Sequence, residues 1–146
     1  MTSFTLRNAT IADARALFDW RNDPLTRQGS HNTAELEFDS HVSWVEKTLA
    51  NPARQLFIVE EDGNPVGTVR IDHEPNNSAE MSWTVAPDAR GRGVAKKMVR
   101  LIADHIPASC ILRAEVKAGN EASVKVAEAA GLRLSEQVGD VLHFHR

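Results

Sequence analysis

The stretch from Ala79 to Arg100 constrains the fold more than any other part of the chain. Met81, Trp83 and Val85 alternate with Glu80, Ser82 and Thr84, so residues 79–85 read as a half-buried strand. Pro87 stops that strand, and a loop holding Arg90, Gly91, Arg92 and Gly93 follows. A helical stripe of Val94, Met98, Leu101 and Ile102 then runs to Pro107. A strand that feeds a glycine loop and a helix needs a sheet for the helix to lie on.

The flanks supply that sheet. Phe4-Thr5-Leu6-Arg7 alternates as a strand, and Thr10-Ile11-Ala12-Asp13 fits a capping box before a stripe of Ile11, Ala14, Leu17 and Phe18. Asp23-Pro24 breaks this helix, and residues 25–38 carry no clear period. Asp39-Ser40 can cap a second helix with Val42, Val45 and Leu49 on one face. Leu56–Val59 and Val66–Ile71 flank Asp62-Gly63-Asn64, a hairpin signal. Beyond Pro107 the pattern gives a strand from Cys110 to Val116, an alanine-rich helix from Ala122 to Ala130 closed by Gly131, and a hairpin of 132–137 with 141–145. The order βααβββαβαββ implies an α/β (mixed α+β) fold in one domain over 1–146.

Composition narrows the function. A chain of 146 residues, 42% hydrophobic and 25% charged, is an ordinary globular domain. Its net charge of −3 argues against a nucleic-acid partner. The single cysteine, Cys110, sits in an apolar strand and allows no internal disulfide. No apolar run approaches the ~18 residues of a membrane span. Met1-Thr2-Ser3-Phe4 shows no signal peptide, which makes the cytoplasm the expected compartment. His143 and His145 share a strand face without a third ligand in pattern, so no metal is expected.

Residues 88–100 hold five basic side chains against Asp88 alone, on a chain that is acidic elsewhere. Two glycines at a helix entrance expose backbone N–H groups at the positive end of the helix dipole, which suits a polyanion such as a pyrophosphate. The spacing is not that of a P-loop, and Lys96 breaks a dinucleotide fingerprint. The plain alternative is a solvated basic turn whose glycines serve geometry only.

The run Ala79–Ala95 resembles the central motif of the GNAT superfamily of N-acetyltransferases. Its [Q/R]-x-x-G-x-[G/A] pattern is met by Arg90, Gly93 and Ala95 after a V-x-P strand end. Asn120-x-x-Ser123 and Ala129-Ala130-Gly131-Leu132 resemble the family's next strand–helix unit. The resemblance implies a GNAT-like fold: a central, mixed, mostly antiparallel sheet of six to seven strands flanked by about four helices. It implies acetyl-CoA as co-substrate, with its pyrophosphate on the backbone of Arg90, Gly91, Arg92, Gly93, Val94 and Ala95. The pantetheine arm pairs, by similarity, with backbone groups of Trp83 and Val85, and Asn120 and Ser123 lie beside it. Trp83 and Val85 side chains read equally as core, and Asn120 equally as a helix cap.

Acetyl transfer to an amine requires that a proton be taken. Glu80, at the start of the central strand, is the candidate base, with an exposed strand-end carboxylate as the alternative. The family's usual tyrosine falls at Ala127, and the chain has no tyrosine at all. Trp20-Arg21-Asn22, Arg27 and His41-x-x-Trp44 resemble a branch that includes amino-sugar nucleotide N-acetyltransferases. That resemblance makes Arg21, Asn22, Arg27 and His41 the candidate acceptor-binding residues, and the tryptophans alternatively core anchors. The expected partner is a small-molecule primary amine, such as a nucleotide-linked amino sugar, bound by a monomer or homodimer. The competing readings are a protein or peptide N-terminal acetyltransferase and a non-catalytic acyl-CoA-binding module.

Overall fold

The computed structural model describes residues 2–146. In chain order the elements are β1 (Phe4–Asn8), α1 (Ala14–Asn22), α2 (Pro24–Gln28), α3 (Phe38–Ala50), β2 (Arg54–Glu61), β3 (Asn64–Glu74), β4 (Ser78–Val85), α4 (Val94–His105), β5 (Ile111–Lys117), α5 (Glu121–Ala129), β6 (Arg133–Val138) and β7 (Val141–His145). The strands form one sheet in the order β1-β2-β3-β4-β5-β7-β6, and only the β4–β5 pair is parallel. The expected mixed, mostly antiparallel sheet is present with seven strands among the described residues.

The β2–β3 hairpin turns at Asp62 and Gly63, both in the left-handed region (φ 50° and 87°). That is the backbone the Asp-Gly signal requires. Asn76 and Asn77 (φ 64° and 55°) turn β3 into β4 in the same way.

The alternation in β4 sorts the two faces of the sheet. Direct antiparallel partners point to the same face. Val69 opposes Trp83 and Ile71 opposes Met81, giving an apolar face. Gly67 lies on that face, and a Cβ there would sit 2.5 Å from Met98 Sδ of α4 and 2.8 Å from the Thr84 carbonyl oxygen. The absent side chain therefore lets α4 lie close on the sheet. Val69, Ile71, Met81, Met98, Val99, Ile102 and Leu112 are almost fully buried. The opposite face of β3, β4 and β5 is polar: Thr68 opposes Thr84, Arg70 opposes Ser82, Asp72 opposes Glu80, and Glu80 pairs with Arg113.

Two helix readings change. Asp23-Pro24 ends α1 but also begins α2. The Asp23 carboxylate accepts from the N–H groups of Leu25 and Thr26, with Pro24 in the first turn. The segment without a clear period thus holds a fifth helix. The next helix begins at Phe38 rather than after Asp39-Ser40, with Glu37 as its flanking residue.

Candidate active site

β4 and β5 are neighbours in the sheet yet pair only at Ser78–Ile111, Ala79–Leu112 and Glu80–Arg113. Beyond Glu80 the strands part. The Ala86 N–H donates to the Val66 carbonyl in β3 at 2.8 Å. Backbone groups alternate in direction along a strand, so Val85 and Trp83 turn theirs the other way, into the gap beside β5. Their side chains pack against the core. Trp83 and Val85 thus have core side chains and a cleft-facing backbone.

The gap opens into a cavity of about 580 Å³, the size of a small-molecule site. Its sheet wall carries Thr68, Arg70, Glu80, Ser82, Thr84, Glu115 and Lys117. Asn120 and Ser123, at the start of α5, line it as well. Asn120 Oδ1 caps α5 by accepting from the Ser123 N–H at 3.2 Å. Its cap role and its place on the cavity are both real.

Glu80 stands at the joint where the strands part. It is half-buried, and Oε2 accepts from Arg113 Nη2 at 3.1 Å. Arg113 also forks onto Glu74, with both contacts at 3.0 Å. Burial lifts the Glu80 carboxyl above the ordinary carboxylate range, and Glu115 adds to the rise. Arg113 opposes it, while Glu74 and Asp72 push further up. A carboxylate whose proton affinity is raised is better suited to accept a proton than an exposed one.

The loop after β4 reaches α4 through two left-handed glycines, Gly91 (φ 80°) and Gly93 (φ 72°), and Gly93 is the N-cap residue just before α4. A Cβ on either would meet nothing within 4 Å. The helix entrance is open space with free N–H groups at its head. Val94 is buried and Ala95 half-buried, so the loop's apolar end anchors in the core. The arginines behave differently from the positive island that the sequence suggests. The Arg90 guanidinium is held by the Asp23 carboxylate and by Thr26 Oγ1 (2.8 Å) in α2. Arg92 forks onto Glu61 at 2.9 and 3.0 Å. These bonds depress the Asp23 and Glu61 carboxyls. Both arginines are thus loop fasteners, and the open donors of the loop are backbone N–H groups.

The helical wall separates the four acceptor candidates. Arg21 and His41 line the cavity; Asn22 and Arg27 do not. Asn22 Oδ1 accepts from the Leu36 N–H at 2.8 Å, so it ties the segment between α2 and α3. His41 is buried and stacks on Trp44 with ring centroids 5.4 Å apart and planes 17° from parallel. Burial, and then the Arg21 charge, lower its pKa and so favour the neutral ring. Trp20 is a core anchor, 8% exposed, whereas Trp44 faces the cavity. Ala127 is fully buried in α5, so nothing at that position reaches the cleft.

Sequence reasoning missed Arg113 and Glu115. The signal was present: charges alternate with Leu112, Ala114 and Val116 in β5, which places Arg113, Glu115 and Lys117 on one face. What it lacked was the parallel register that brings Arg113 opposite Glu80.

A domain in which a glycine turn, a parted strand pair and a half-buried carboxylate converge has the architecture of a transferase for an acyl group. A family model described as "Acetyltransferase (GNAT) domain" matches residues 3–133. The chain belongs to this acetyltransferase family. No curated protein matches it in sequence. The fold is similar to that of spermidine N-acetyltransferase from Vibrio cholerae in complex with CoA and spermine, at 21% identity over 98% of this chain and 94% of that one, with a TM-score of 0.85. A domain from Methanocaldococcus jannaschii DSM 2661 superposes with a TM-score of 0.87 at 19% identity, covering 100% and 99% of the two chains. Ribosomal-protein-alanine N-acetyltransferase from Brucella melitensis reaches 0.81 at 24% identity, covering 97% and 98%. Among the described residues, no helix is long and apolar enough to cross a membrane.

Proposed function

We propose that this protein transfers an acetyl group from acetyl-CoA directly to the primary amine of a small molecule, with Glu80 taking the amine's proton. The observation that carries the reading is the joint: β4 and β5 separate just past Glu80, beside a glycine turn with open N–H groups. Acetyl-CoA supplies an activated thioester. The backbone of residues 90–95 is assigned to its pyrophosphate, and the Trp83 and Val85 backbone groups to its pantetheine arm. The same N–H donors are placed to stabilise negative charge on an acyl oxygen. Asn120 and Ser123 border the arm.

Glu80 receives the proton, and its raised affinity for one fits that task. With Ala127 in place of a tyrosine, no side chain from that position protonates the leaving thiolate. A thiolate, with a parent pKa near ~8.5, leaves tolerably without one.

Arg21 and His41 form the acceptor's helical wall. A nucleotide-linked amino sugar is the specific acceptor proposed, supported by Trp44 as a cavity-facing ring. Peptide N-terminal acetylation is the second reading, since a neighbour of this fold bears the name ribosomal-protein-alanine N-acetyltransferase. Thiol release from acetyl-CoA, followed across amino sugars, sugar nucleotides, polyamines, amino acids and peptides, tests the proposal. Acetyl-CoA binding with no transfer to any amine would leave a binding module instead.

A further inference from the structure

Most charges on the cavity wall have a partner; among the described residues, Glu37, at the head of α3, and Arg21 have no opposite charge bound to them. Arg70 pairs with Asp72 through Nε at 3.0 Å and lies over the Trp44 ring. Lys117 Nζ donates to the Gln28 carbonyl at 3.1 Å. Glu80 is held by Arg113, and Glu115 stands 3.5 Å from His31 Nε2. Arg21 differs. Its Nη2 donates to the Asn32 carbonyl at 2.9 Å, but its Nη1 is buried and has no partner. Among the described residues no carboxylate pairs with it.

Arg27 compounds the anomaly. Its charge is close enough to disfavour the charged form of Arg21, and its own Nε is buried without a partner. Two neighbouring guanidiniums with free donors and no acid between them form an uncompensated positive locus. A buried donor left unmet is costly, and a guanidinium fork fits a carboxylate or a phosphate. Nearby on the same wall is His41, whose buried Nε2 also lacks a partner.

We propose that the acceptor carries an anionic group, a carboxylate or a phosphate, in addition to its amine, and that Arg21 receives that group while Glu80 faces the amine. The proposal rests on the acetyltransferase reading and sharpens it. The two walls then recognise the two ends of one molecule: Glu80 and Glu115 on the sheet, Arg21 on α1. A polycation is disfavoured, because its second ammonium would meet Arg21.

Matched acceptors test it. With saturating acetyl-CoA, thiol release is measured for γ-aminobutyrate against butylamine, for phosphoethanolamine against ethanolamine, and for spermidine. The expected result is a kcat/KM at least about tenfold higher for the anionic member of one pair, with spermidine below it. The pair that responds identifies the anion. Arg21→Gln collapses the ratio to within about twofold, and Arg27→Gln lowers it partially. A second readout needs no turnover. The melting temperature of the CoA-saturated protein is titrated with succinate and with inorganic phosphate. A saturable rise in wild type, lost in Arg21→Gln, supports the proposal. Ratios near one in wild type, spermidine as the best acceptor, or no saturable shift with either anion would overturn it. If acetyl-CoA binds and no amine is acetylated, the transferase reading fails, and the anion titration still decides the role of Arg21. Should Arg21→Gln not fold, Arg21→Met takes its place in both comparisons, with the same loss expected.

Discussion

Gly93 offers a test that separates backbone strain from ligand contact. It is the N-cap of α4 at φ 72°, and a Cβ there would meet no protein atom within 4 Å. A valine at this position therefore clashes with nothing in the protein itself, and its intrinsic cost is the left-handed backbone, roughly 1–2 kcal/mol for an L-residue. In a domain of this size that corresponds to a fall in melting temperature of about 2–8 °C. Gly131 is a matched control. It has φ 87°, is equally open, and follows the far end of α5. Gly131→Val should lose about the same stability. The two variants should differ in affinity. The branched side chain at 93 projects into the space assigned to the pyrophosphate, so Gly93→Val should bind acetyl-CoA at least about tenfold more weakly, or ~1.4 kcal/mol. Calorimetry with all proteins folded, well below the lower melting temperature, measures both. Equal affinity for wild type and Gly93→Val, or an equal loss in Gly131→Val, would refute the assignment of the loop.

Further outcomes follow from other contacts. Glu80→Gln should lower kcat/KM about 10²-fold or more and abolish the acid limb of its pH profile. Because burial raises the Glu80 pKa, that limb in wild type should lie above the ordinary carboxylate range, and Arg113→Gln should move it higher still, since Arg113 opposes the rise. Gly67→Ala should destabilise by about 1–2 kcal/mol, the overpacking cost less the stabilisation that comes from a lower entropy of the unfolded chain. Adding Met98→Ala should not restore full stability, because the Thr84 carbonyl contact at 2.8 Å remains and a cavity is added; urea unfolding reads both. The Arg7 bond depresses the Asp13 carboxyl, so its contribution is present above the unfolded-state pKa near ~3.9 and is lost as pH falls through the folded-state value. Asp13→Asn should flatten that part of the acid-unfolding curve.

The sequence exposes most of what is periodic. The alternation in β4, the glycines at the head of α4 and the Asp62-Gly63 hairpin each reflect local backbone chemistry, and each appears in the structure. Asp23-Pro24 shows the limit, since the same pair ends one helix and starts another and only the donors of Leu25 and Thr26 decide. The arginines of the loop show a second limit. Their charge is visible in sequence, but their partners Asp23 and Glu61 lie 67 and 31 residues away. The acceptor candidates divide for a similar reason: neighbouring positions on α1 place Arg21 on the cavity and turn Asn22 toward the Leu36 N–H.

The three-pair seam between β4 and β5 has a consequence for cooperativity. On one side lies a four-stranded leaf, β1 to β4; on the other lies a three-stranded leaf of β5, β7 and β6. Apart from that seam, the leaves communicate chiefly through α4 lying against α5. Sub-global opening should begin there, with the amides of Trp83 and Val85 exchanging early while those of Val69 and Ile71, inside the larger leaf, exchange late. A molecule bonded to both lips of the seam stitches the leaves together. Occupancy should then raise the exchange protection of β5 and β7 along with that of β4, so that the empty and filled proteins differ in how many pieces they come apart into.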